Sequence, residues 1–83
     1  MLRSVINTLD AEAGTSRVIA HGVSTNEARV LVDSLQSEFQ DLGSLRWEWN
    51  TGFLIVYLPA DRGMLAKETI HNQFNEWEDR HAA

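Results

Sequence analysis

The sequence predicts an α+β fold: a small two-layer sandwich with its helices on one face of an antiparallel sheet. Three observations carry this prediction. A capped amphipathic helix occupies residues 24–43, the stretch "LRWEWNTGFLIVYLP" (45–59) reads as a hairpin, and a second helical stripe follows Pro59. With 83 residues, 43% of them apolar, the chain is expected to form one domain, 1–83, with a modest core.

The first helix is the best defined. Ser24 followed by Glu27 is a capping box, in which each side chain satisfies a free backbone N–H. Ala28, Leu31, Leu35, Phe39 and Leu42 recur at steps of three and four, and Gly43 follows as a C-terminal cap. The second helix is predicted from Asp61, as N-cap, to about Arg80, with Ala66, Ile70, Phe74 and Trp77 as its stripe. Gly63 weakens its first turn, and Glu76, Glu78 and Asp79 oppose the helix dipole, so the last turn is expected to fray.

"RVIAHG" (17–22) reads as a short strand closed by glycine. Residues 1–13 fit either a strand or a helix, since Leu2, Val5, Ile6 and Leu9 also make a helical stripe. Topology favours the strand. The order β-α-β-β-α is a split β-α-β, ferredoxin-like unit without its last strand. An N-terminal strand hairpinned onto 17–22 fills that slot from the other end, giving a circularly permuted ββαββα arrangement.

In the hairpin, a two-residue loop would place β-branched Thr51 at positive φ, whereas a three-residue loop, Asn50–Gly52, leaves that conformation to glycine. The three-residue register pairs Trp49 with Phe53, Trp47 with Ile55 and Leu45 with Tyr57 beneath the helices. Leu54 and Val56 then fall on the open face, opposite Glu48 and Arg46. With Val18 and Ala20 turned inward, Arg17, Ile19 and His21 join them. The expected partner-binding residues are therefore Arg17, Ile19, His21, Arg46, Glu48, Leu54 and Val56.

Chemistry is harder to find. Seven basic residues stand against twelve acidic ones, for a formal charge of −5, and the basic residues never cluster, which disfavours nucleic acid as a partner. There is no cysteine, hence no disulfide or thiolate chemistry, in keeping with a reducing, cytoplasmic location. No signal peptide or membrane span is read. His71, Asn75 and Glu78 share a helix face but lack the tight spacing of a metal helix, and phosphate-cradle and nucleophile-elbow motifs are missing. No cofactor or metal is expected. Exposed tryptophans can stack bases, but Glu48 between Trp47 and Trp49 argues for core placement.

The expected function is that of a small acidic, non-enzymatic interaction module, an inhibitor, adaptor or regulator, acting on a protein partner or on itself as a homodimer through the open sheet face. The alternative is a ligand-sensing ferredoxin-like dimer that binds a small metabolite.

Overall fold

The computed structural model describes residues 2–82. Four strands and two helices follow in the order β1 (Ser4–Asp10), β2 (Thr15–His21), α1 (Thr25–Glu38), β3 (Arg46–Asn50), β4 (Phe53–Pro59) and α2 (Gly63–Ala82). The strands form one antiparallel sheet in the order β1-β2-β4-β3. Thus β4 is inserted between β2 and β3, the two strands that α1 connects, and the N-terminal segment is a strand paired with β2 rather than a helix.

Alternation along each strand divides its side chains between two faces. Val5 from β1, Val18 and Ala20 from β2, and Leu54, Val56 and Leu58 from β4 are buried, and they share one core with Ala28, Leu31, Val32, Leu35 and Phe39 of the α1 region and Ala66, Ile70 and Phe74 of α2. Trp47, Trp49 and Trp77 pack half-buried against it. Both helical stripes therefore cover the same side of the sheet. Trp49 also ties β3 to the start of α1, since its indole Nε1 donates to the Val23 carbonyl at 3.0 Å.

The capping box of α1 is present, with Ser24 Oγ accepting from the Glu27 amide at 3.1 Å and Glu27 Oε1 accepting from the Ser24 amide at 2.9 Å. Phe39 ends the helix, and a 3-10 turn over Gln40–Leu42 leads to Gly43, at φ 70°. Asp61, expected as the N-cap of the second helix, instead lies within a 3-10 turn, Ala60–Arg62, and α2 begins at Gly63.

Glu27 has a second task. Its Oε2 accepts from Arg3 Nη2 at 2.7 Å, and the Arg3 guanidinium lies over the rings of Phe74 (5.6 Å) and Trp77 (4.9 Å). One cation thus joins the start of the chain to both helices. The hydrogen bond from Arg3 holds the Glu27 carboxyl below its ordinary value, against the opposing effect of burial and with help from the capping amide. Because the folded-state value is the lower one, this stabilisation is complete above about pH 4.3 and is lost as pH falls further. Urea unfolding of the wild type and Glu27→Gln checks this. The stability gap between them is expected to be larger at pH 6 than at pH 3, and an equal gap at both would contradict the ionic account.

Candidate functional site

The hairpin β3–β4 turns through two residues, Thr51 (φ 51°) and Gly52 (φ 85°), so that Asn50 pairs with Phe53, Trp49 with Leu54 and Trp47 with Val56. This corrects the three-residue register and reverses the faces of β4. Leu54 and Val56 are fully buried, at 0% exposure, and form no part of the open face.

Energetics explain the outcome. A left-handed threonine costs about 1–2 kcal/mol, while each fully buried Leu or Val contributes about 1.5–3 kcal/mol. The observed register places three purely aliphatic side chains, Leu54, Val56 and Leu58, under the helices. The alternative would bury Tyr57, whose hydroxyl then needs a partner inside. The turn itself is supported locally. Thr51 Oγ1 donates to Asn50 Oδ1 at 2.7 Å, and the Gly52 carbonyl accepts from the amides of Gly22 and Val23 at 3.0 and 3.2 Å. Two-residue turns of this hand also match the twist of the strands they join.

The open face carries three rows that run across all four strands, and beyond them the shorter row Asp10, Thr15 and Pro59. The middle row is Ile6, Ile19, Ile55 and Glu48, the second is Thr8, Arg17, Tyr57 and Arg46, and the third is Ser4, His21, Phe53 and Asn50. Five of the seven residues named from the sequence, Arg17, Ile19, His21, Arg46 and Glu48, thus share this face. Ile6, Phe53, Ile55 and Tyr57 supply its other large side chains; the sequence reading missed Phe53, Ile55 and Tyr57 because its register turned β4 over, and Ile6 because it assigned no face to residues 1–13. Ile6 and Phe53 are 47% and 41% exposed, and Ile19 and Ile55 are half-buried between their neighbours.

The polar groups of the face are preorganised. Tyr57 Oη donates to Glu48 Oε1 at 2.6 Å, the Arg46 guanidinium lies 4.5 Å from the Tyr57 ring centre, and His21 meets Phe53 edge-on at 4.4 Å. The hydrogen bond to Glu48 raises the Tyr57 hydroxyl above its usual value, with burial and the carboxylate charge acting in the same direction. Tyr57 is the only tyrosine in the chain, so ultraviolet titration reads it directly. The wild-type midpoint is expected above about 10 and that of Glu48→Ala lower; coincident titrations would show that the contact is not maintained.

Clefts lie on the helical side, among them one of about 280 Å³ lined by Arg29, Val32, Asp33, Gln36 and Trp47. Another of about 340 Å³ is lined by Asn26, Glu27, Val30, Trp77 and Arg80, and a further one of about 440 Å³ by Met64, Leu65, Lys67, Glu68 and His71. Of the row His71, Asn75 and Glu78, His71 borders the cleft of Met64 and Leu65; the side chain of His81 lies outside the described residues. Among the described residues no three His, Asp or Glu side chains gather as a metal site would require, and no helix is long and apolar enough to cross a membrane. Compared with protein-family models, curated proteins and solved structures, the chain matches none.

Proposed function

We propose that the chain is a non-enzymatic protein-interaction module that works through its open sheet face. The composition of that face carries the reading: isoleucine, phenylalanine and tyrosine, bordered by two arginines and without lysine, on a sheet side no other part of the described chain covers. Interface cores are enriched in aromatic residues and arginine and depleted in lysine, and an extended apolar patch is uncommon on a surface that meets only water. The occupant fitting such a flat, mixed surface is a folded protein surface rather than a small molecule, which needs concavity.

Strand order supports a finer reading of the fold. With β4 between β2 and β3, and β1 beside β2, the chain fits a circularly permuted, ferredoxin-like split β-α-β unit. That topology is also the basis of the second reading, a metabolite held where two such sheets meet, which remains an analogy of fold.

Quantitative affinity capture on the tagged full chain tests the proposal, with Ile55→Lys as comparison and Glu68→Lys, on α2, as control. The expected result is a protein, or a second copy of the chain, whose recovery falls at least about tenfold with Ile55→Lys and not with the control. Identical recoveries from all three baits, each sedimenting as a monomer, would overturn it. A thermal-shift screen addresses the metabolite reading, since a specific ligand raises Tm.

A further inference from the structure

We infer that the occupant of the open face is a second copy of this chain, packed sheet against sheet about a two-fold axis that crosses the strands. The inference rests on the face being a docking surface and goes on to name what docks. Its first support is charge. Arg17 and Arg46 balance Asp10 and Glu48 on this face, so the formal charge of −5 resides on the rest of the chain. Two copies meeting through their helical sides would bring like charges together, which opposes association. The sheet face is where they can meet without that repulsion.

The second support is self-complementarity. Asn7, Val18, Val56 and Trp47 are in register and form a straight row across the sheet, all directed toward the helices. A two-fold axis laid under this row, on the open side, exchanges the open-face residue before each of them with the one after. On β3 it sets Arg46 against Glu48 of the other copy, and Glu48 against Arg46, two ion pairs from one strand. On β4 it sets Ile55 against Tyr57, and on β2 it lays the aliphatic stem of Arg17 over Ile19. Arg46 and Glu48 are already held beside Tyr57 in the single chain, by the ring contact and the 2.6 Å hydrogen bond, so little side-chain freedom remains to be lost on pairing. Aligned sheets packed about 10 Å apart at roughly 30° allow these contacts.

Four strands at about 4.8 Å spacing and seven residues at about 3.3 Å give a face of roughly 19 by 23 Å, which places the contact at the small, exchanging end of protein interfaces. Sedimentation of the purified full chain should therefore run from micromolar to millimolar concentrations. A monomer–dimer equilibrium that weakens with added salt is expected. Arg46→Glu and Glu48→Arg should each weaken self-association by at least about tenfold, because each sets like charges face to face. Mixing the two single variants should restore it, since each then supplies the charge the other lacks, and the double reversal Arg46→Glu/Glu48→Arg should restore it as well. A merely structural role for these residues would not be rescued by mixing.

A wild type that stays monomeric to millimolar concentration overturns the second copy as occupant; if Ile55→Lys still abolishes capture of another protein, the docking face survives that result, and if it does not, both readings fall. A dimer indifferent to both reversals and to Ile55→Lys forms through some other surface and likewise overturns the inference.

Discussion

Leu54→Lys is expected to leave the protein unfolded at 25 °C, while Ile55→Lys, one residue along the same strand, is expected to leave it folded. Leu54 is fully buried against both helical stripes. Its replacement forfeits about 2–3 kcal/mol of apolar transfer and brings in a charge with no partner, which costs several kcal/mol more. A domain of this length has about 4–12 kcal/mol in total, so the sum reaches the available stability. Ile55 faces the other way, half-buried, and sits directly across from Glu48 on β3. A lysine there loses some packing but gains an opposite charge, each effect being about 1 kcal/mol or less. Thermal unfolding followed by circular dichroism should give no cooperative transition for Leu54→Lys and a Tm within about 8 °C of wild type for Ile55→Lys. The reverse ranking would mean that β4 presents its other face to the helices.

Gly63→Ala is the second large effect, and it runs against helix propensity. Gly63 opens α2 with ordinary helical angles, φ −60° and ψ −46°, so nothing in its backbone demands glycine. Space does. A Cβ there would meet Ser16 Oγ at far below van der Waals distance, and Asn7 Oδ1 and Ser16 Cβ at 2.6 Å each. Ser16 is itself fully buried in β2, and α2 crosses the sheet at this point by direct backbone approach. Alanine would gain up to about 1 kcal/mol in helix propensity, less at a first helical position. Overpacking costs about 1–3 kcal/mol, and here the obstacle includes an atom next to the strand backbone, which cannot swing aside. A net loss of about 1–2 kcal/mol is expected, lowering Tm by roughly 4–15 °C. A Tm equal to or above wild type would show that the junction has room.

Much of the fold was legible because its signals are local. The capping box at Ser24 and Glu27, the stripe from Ala28 to Phe39 and the apolar run of β4 each declare their element within a few residues. The N-terminal strand followed from topology, since the ambiguous stripe of Leu2, Val5, Ile6 and Leu9 fits an empty place beside β2. Register was less legible. It depended on weighing a left-handed Thr51 against the packing of three aliphatic residues, and that packing depends on side chains distant in sequence. Local strain was overestimated there, and Leu54 and Val56 went to the wrong face with it. The open face itself survived the error because β2 and β3 were read in the right phase, which put Arg17, Ile19, His21, Arg46 and Glu48 together. The link from Arg3 to Glu27 and the close seat of Gly63 on Ser16 could not be read at all, because each joins positions with no sequence pattern between them.

The register of β3 against β4 decides which residues make the docking face, and cross-strand Hα–Hα contacts measured by nuclear Overhauser effects read it directly. In a two-residue hairpin the pairs one and three steps from the turn are the close, non-hydrogen-bonded ones. Strong contacts linking Trp49 with Leu54 and Trp47 with Val56 are expected, which puts Phe53, Ile55 and Tyr57 outside. Contacts linking Trp47 with Ile55, or Glu48 with Leu54, would turn those three residues inward and contradict the account.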